Sequence, residues 1–327
     1  MDLFNTLQRM RVYYIATTIL LGSTPMFLYP IRGPYAWVDY LLWQPQEDGL
    51  QYAATVDANT LTVQEPRFTW SSGVRAGVGC IFGHTWDIGA VWTHLKQQSH
   101  VATVCTVPES VLVTPLTNFD ESLATSTGTS YQLCIDFDTV DVDLGKGWFI
   151  WDGISLSPRM GVKWARIHQS QDMRYAQVTV PNTDINLVPI EIVRTNNFSG
   201  AGPYVTLQSM WALGKGFSLI GDISGSLLAG KLCTSSTPVA MTSPIATPIV
   251  NNTVHKIRPM ARALLGIDWA TALSDDAYEL CVHAGYEMQW WPQQWNAVAS
   301  VAQVQSGIRQ SGDLSFQGLV LGLGFWF

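Results

Sequence analysis

The last fourteen residues alternate. In LSFQGLVLGLGFWF, Leu319, Leu321, Leu323, Phe325 and Phe327 are large and apolar, while Gly318, Gly322 and Gly324 share the other phase with Val320 and Trp326. Period two puts each set on one face of a β-strand. The pattern recurs upstream. HKIRPMARALLGIDWA sets Lys256, Arg258, Arg262 and Asp268 against Ile257, Ala261, Ala263, Leu265, Ile267 and Trp269. YELCVHAGYEMQW sets Glu279, Cys281, His283, Glu287 and Gln289 against Tyr278, Leu280, Val282, Tyr286, Met288 and Trp290. ISLSPRMGVKW opposes Ser155, Ser157, Arg159 and Lys163 to Leu156, Met160, Val162 and Trp164, and TWDIGAVWT opposes Asp87 to Trp86, Ile88 and Trp92. A helix would smear these charges round its circumference, whereas a strand collects them on one side. YQLCIDFDTVDVDL alternates with a slip near Thr139. A bulge there would turn both Asp136/Asp138 and Asp141/Asp143 inward.

Chained together, the segments predict strands near 35–45, 73–83, 85–96, 130–144, 153–168, 202–213, 216–231, 256–271, 277–291 and 313–327. Short links at Phe82–Thr85, Gly145–Asp152, Leu213–Gly216 and Thr271–Asp276 alternate with long polar ones at 46–72, 97–129, 169–201, 232–255 and 292–312. Short periplasmic turns and long external loops characterise an up-and-down outer-membrane barrel. After residue 31 no run nears the roughly 18 apolar residues of a spanning helix, so a membrane form must be a closed barrel. The expected fold is therefore all-β, a transmembrane antiparallel barrel of about ten strands over 35–327. LQYAATV and LTVQ in the first long link leave a count of roughly 12–16 open as the alternative.

Composition agrees. Charged residues are 13 % of the 327, against about 25 % in soluble domains. Fourteen tryptophans and a net charge of −7 argue against disorder and against a nucleic-acid partner. Arg9 and Arg11 precede the uncharged run Val12–Ile31 with the small residues Gly22-Ser23-Thr24, which predicts an export signal over 1–24. A membrane anchor is the competing reading, and Pro25 and Pro30 interrupt it. The six histidines are scattered singly and read as structure. No CxxC, HExxH or phosphate-loop spacing occurs, so neither metal nor cofactor is expected.

The charges placed on the inner face are Asp39, Arg75, Asp87, Asp136, Asp138, Asp141, Asp143, Arg159, Lys163, Asp222, Lys256, Arg258, Arg262, Asp268, Glu279 and Glu287. Two readings stay open. In a wet pore they select ions, with acidic 130–144 facing basic 153–168 and 256–262. In a filled lumen they pair and hold the barrel together, as expected close to eight strands. Inner-face glycines such as Gly77 and Gly322 would leave some room. Trp37, Trp43, Trp86, Trp92, Trp151, Trp164, Trp211, Trp269, Trp290, Trp291 and Trp326 read as interfacial anchors, with a lumenal stack as the alternative for Trp37 and Trp43.

Several stretches resemble one family in order and spacing. WVDYLLWQPQEDGLQYA (Trp37–Ala53), FTWSSGVRAGVGCIF (Phe68–Phe82), WDIGAVWTHL, DVDLGKGWFIWDGISLSPRMGVKWARIHQ (Asp141–Gln169) and FSGAGPYVTLQSMWALGKGFSLIGDISGSLLAGK (Phe198–Lys231) look like successive strands of the major outer-membrane proteins of Legionella and chlamydia-like bacteria. The closing GLGFWF, with Phe325 and Phe327, resembles the assembly signal that outer-membrane barrels present to the barrel-assembly machinery. The resemblance implies a porin-like protein, homo-oligomeric (a trimer), in outer-membrane lipid, with no enzyme activity and no cofactor. It also implies envelope cross-linking through cysteines. Of Cys80, Cys105, Cys134, Cys233 and Cys281, the odd set of five, Cys105 and Cys233 lie in or near the long links and are the candidates for a disulfide.

The expected function is passive diffusion of small hydrophilic solutes or ions, combined with a surface role in the envelope. A non-conducting adhesin or scaffold is the alternative. An outer-membrane enzyme is the third class. It has no nominated nucleophile, and Asp275 and Asp276 sit in a short turn on the wrong side.

Overall fold

The computed structural model describes residues 33–57, 60–82, 85–104, 111–113, 125–126, 128–151, 153–178, 188–240, 250–273, 278–298 and 309–327. The export-signal segment lies outside the described residues. Ten long strands form the wall: β1 (Gly33–Glu47), β2 (Ser71–Phe82), β3 (Trp86–Val104), β4 (Gly128–Lys146), β5 (Ile154–Val178), β6 (Val188–Gly214), β7 (Phe217–Ala240), β8 (Val250–Leu273), β9 (Tyr278–Val298) and β10 (Arg309–Trp326). Each pairs antiparallel with its chain neighbour, and β10 pairs with β1 from Tyr35↔Trp326 to Glu47↔Leu314, which closes the ring. Closure leaves no wall edge unpaired in lipid.

The outward phase begins apolar at the short-turn end because it faces hydrocarbon. On β5 the eleven residues 154–164 carry Met160, Val162 and Trp164 on the exposed side, close to the 9–11 residues a tilted spanning strand needs. The strands then continue well beyond that depth, so much of the sequence expected as long loop is strand. Trp92, Val140, Trp164, Ala201, Ala229 and Ile257 are register partners on β3 to β8. The next outward level is His94, Asp138, Arg166, Ser199, Lys231 and His255. Lipid thus gives way to a polar layer within one step of the pleat.

The inner face changes in the opposite sense at the same height. Below, it holds Asp141, Asp143, Arg159 and Lys163; above, Leu95, Phe137, Ile167, Phe198 and Leu232 are cross-strand partners, all buried. The main hydrophobic core therefore lies inside the upper barrel, and Leu50, Tyr52 and Ala53 from the first link enter it.

The two extra segments of that link are not wall strands. Ala53–Asp57 pairs with Thr60–Gln64 and with Val111–Val113, which pairs with Thr125–Ser126, in a separate four-stranded sheet. At the β6–β7 turn, Lys215 (φ 56°) and Gly216 (φ 83°) are both left-handed. This is the type I′ geometry whose twist suits a two-residue hairpin. A Cβ on Gly216 would come 2.6 Å from the Ala270 carbonyl oxygen, so the position also needs the missing side chain.

Candidate functional site

The lumen is the candidate site, since every strand sends its second phase into it. Near the short turns, Arg159 on β5 bridges two neighbours. Its Nη1 lies 2.5 Å from Asp87 Oδ2, and its Nη2 lies 2.6 Å from Asp143 Oδ1. Tyr35 Oη donates to the other Asp87 oxygen at 2.8 Å. One level up, Lys163 Nζ meets Asp141 Oδ2 at 2.5 Å and lies 4.9 Å from the Tyr204 ring centre. Arg262 Nη2 is 2.9 Å from Asp222 Oδ1, which also accepts from Thr206 Oγ1 at 3.0 Å.

A third group joins opposite ends of the chain. Arg75 forks onto Glu287, with both guanidinium nitrogens 2.8 Å from the carboxylate oxygens, and its Nε donates to Thr93 Oγ1 at 3.1 Å. Asp39 lies 3.7 Å from Arg75 and 2.8 Å from His283 Nε2. Arg75, Asp39, Glu287 and His283 are each at most 2 % exposed. Of the two open readings of these charges, the structure has the pairing one at these positions, and pairing lowers the cost that burial imposes on each charge.

Above them sits an aromatic layer. Phe137 packs 4.8 Å from Phe316 and 5.6 Å edge-on from Trp291, and Trp43 lies 5.7 Å from Phe316. None of the four is more than 1 % exposed. Arg75 lies 5.3 Å from the Trp43 ring centre and couples the two layers. Higher still, the Tyr52 ring from the first link lies 5.0 Å from that of Tyr131, tilted by 31°, and the Tyr52 carbonyl accepts from Tyr175 Oη at 2.7 Å. Beside them Glu47, above the lipid depth, accepts Gln169 Nε2 at 2.5 Å. Burial pushes its carboxyl up to about 8, only partly offset by the Gln169 bond.

Asp141, Asp143, Arg159, Lys163, Asp222, Arg258, Arg262, Glu279 and Glu287 are buried in the lumen as expected, and Lys256 shares their phase, half-buried. Asp136 and Asp138 do not join them. β4 runs in unbroken register with β3 and β5 through Thr139, without the expected bulge, so both aspartates point outward and Ile135 and Phe137 inward. Above the lipid boundary an outward carboxylate need not lie against hydrocarbon, so nothing forces the phase to slip. Trp37, Trp43, Trp291 and Trp326 also correct the anchor reading: they are at most 4 % exposed and fill the lumen, whereas Trp86, Trp92, Trp164, Trp211, Trp269 and Trp290 face outward.

The expected glycine recesses are occupied. A Cβ on Gly77 would overlap the Trp37 indole, and one on Gly322 would overlap His283 and Asp39. Cys105 lies outside the described residues, while Cys233 is half-buried on the outer face, where Thr253 Oγ1 donates to its sulfur at 3.7 Å. Phe325 and Phe327 are on the outward phase, with their rings 5.6 Å apart. The aromatic layer was missed in sequence. Its signal was the phase of β4 itself, read without a bulge.

Comparison with known proteins supports the architecture. The outer-membrane protease OmpT of Escherichia coli superposes with a TM-score of 0.50 at 10 % identity, over 92 % of this chain and 99 % of that one. The attachment invasion locus protein Ail of Yersinia pestis gives 0.27 at 9 %, over 91 % and 100 %. A FadL homologue of Pseudomonas aeruginosa gives 0.26 at 9 %, over 90 % of each chain. The OmpT match, at so low an identity, speaks to fold alone, and the other two carry no argument. No curated protein sequence matches the chain. The profile described as Legionella pneumophila major outer membrane protein precursor matches residues 36–327. A closed ten-strand barrel with a lipid-facing wall, matched by that profile over nearly its whole length, is an outer-membrane protein, and the chain belongs to the Legionella major outer membrane protein family.

Proposed function

We propose that this barrel serves the outer membrane as a surface and envelope component that works with its lumen closed. The observation that carries the reading is the burial of lumenal side chains at successive heights: paired charges below, then Trp43, Phe137, Trp291 and Phe316 above. Ten strands lie near the eight at which side chains fill a barrel and far from the sixteen of wide channels. Several copies side by side, delivered by barrel-assembly machinery that reads Phe325 and Phe327, belong to the same proposal. Catalysis does not.

Porin-like passage of ions or small solutes is the second reading. What favours it is the polar lower lumen, where Asp141 Oδ1 and Asp143 Oδ2 are buried without a hydrogen-bond partner and invite water. Passage would require the aromatic layer to part. The test is conductance of the refolded protein in a planar bilayer, with reversal potential under a salt gradient. The closed reading expects a folded, heat-modifiable barrel without steady current. Discrete steps whose selectivity changes in Asp141→Asn or Lys163→Gln would replace it with the porin reading.

A further inference from the structure

The outer wall carries a cluster that neither functional reading uses. His94 on β3 and Asp136 and Asp138 on β4 each offer a ligand atom, and the three atoms lie within 4.8 Å of one another. All three residues are half-buried; His94 and Asp138 stand one pleat above Trp92 and Val140, where lipid gives way to the polar layer, and Asp136 stands one pleat higher. The imidazole is held in place: Nδ1 lies 2.8 Å from Asp138 Oδ1, and the ring stacks on Trp92 at 5.8 Å between centres, tilted by 17°. Fixing a ligand before the ion arrives lowers the ordering cost of binding.

A second observation points to a missing partner. Asp136 Oδ1 is shielded from solvent and accepts no hydrogen bond. Lys96 and His168 are its cross-strand neighbours and Arg166 is that of Asp138, yet among the described residues none of the three comes within ion-pair distance of either carboxylate. The long side chains are exposed and the carboxylates turn toward each other and toward His94. Two carboxylates brought together in this way repel unless a cation lies between them.

We infer that His94, Asp136 and Asp138 form a binding site for a single divalent transition-metal ion, with zinc the best match. One imidazole nitrogen and two carboxylate oxygens suit zinc and its neighbours, and the outward side leaves positions for water. Calcium and magnesium prefer a shell made entirely of oxygen. A bound ion would fasten β3 to β4 on the outside at the height where the inner face turns from charged to aromatic.

The test uses the full-length mature protein, without a histidine tag, refolded in detergent and stripped with chelator. Zinc chloride is titrated calorimetrically, with magnesium and calcium as comparisons. Cobalt absorption reports the ligand geometry directly in the unmodified protein. The expected result is one saturable zinc site that neither magnesium nor calcium displaces, weakened at least about tenfold in His94→Gln and in Asp136→Asn/Asp138→Asn. These side chains face outward, and heat-modifiable migration checks that the variants remain folded. The inference is overturned if the parent protein shows no saturable zinc binding and no cobalt ligand-field spectrum. Binding that survives the double variant and disappears with His168→Gln would overturn it as well.

Discussion

Replacing Glu287 with glutamine separates a dry lumen from a wet one. The change keeps the volume and removes one charge from a fork whose two contacts are each 2.8 Å. Arg75 would then be left with Asp39 at 3.7 Å, a carboxylate already engaged by His283 at 2.8 Å. Both Arg75 and Glu287 are 1 % exposed. Breaking a buried pair from one side costs about 3–5 kcal/mol, because the surviving charge stays desolvated. The same pair in a water-filled channel is worth only about 0–1 kcal/mol. The difference exceeds experimental error in a urea titration of the refolded barrel, followed by tryptophan emission and by the heat-modifiable band. The apolar double variant Arg75→Met/Glu287→Met should recover most of the loss, since neither charge remains to be solvated. A loss below about 1 kcal/mol in Glu287→Gln would refute the filled-lumen reasoning, and so would a double variant as unstable as the two single changes added together.

Three further outcomes follow from the same geometry. Phe137→Ala should cost about 3–5 kcal/mol in the same titration, because Phe316 and Trp291 cannot both collapse into the space; if any single change lets current through the closed barrel, this one should. Glu47 holds its proton to about 8 in the fold and to about 4.5 when unfolded, so the fold binds an extra proton between those values and stability declines as pH rises through that window. Glu47→Gln should flatten the decline, which pH-dependent urea midpoints would detect. Val162→Lys, on the lipid face, should cost about 2–4 kcal/mol in bilayers, whereas Ser199→Lys in the polar layer should cost less than about 1 kcal/mol, and equal costs would misplace the lipid boundary.

The wall was legible in the sequence because lipid enforces alternation. The phases of Ile154–Trp164, Ile257–Trp269 and Leu319–Phe327 stand in the structure as they read, while Trp148–Trp151, inside an expected short link, is itself a short strand paired with Ile154–Leu156. The strands proved longer than expected because the apolar half of the signal ends at the lipid boundary. Beyond Trp164, for example, the outward residues become Arg166 and His168, and a polar–apolar alternation of opposite sense takes over. That inversion also hid the aromatic layer. A bulge near Thr139 was expected to turn Asp136 and Asp138 inward with Asp141 and Asp143, whereas the unbroken register puts Phe137 inward instead. The metal-ligand cluster escaped for a simpler reason: His94 and Asp138 are 44 residues apart, and only the β3–β4 register brings them together.

The exchange of character between the two faces makes this one wall a member of two solvents. Below the boundary it is an inside-out protein, greasy outside and ionic within. Above, it is an ordinary water-soluble barrel with a greasy core. The two halves must therefore form under different driving forces, the upper by expulsion of water from Phe137 and its neighbours, the lower by charge pairing once lipid surrounds the strands. One strand such as β5 therefore answers to lipid outside and paired charges inside along Ile154–Trp164, and to a polar exterior and an apolar interior along the rest of its length.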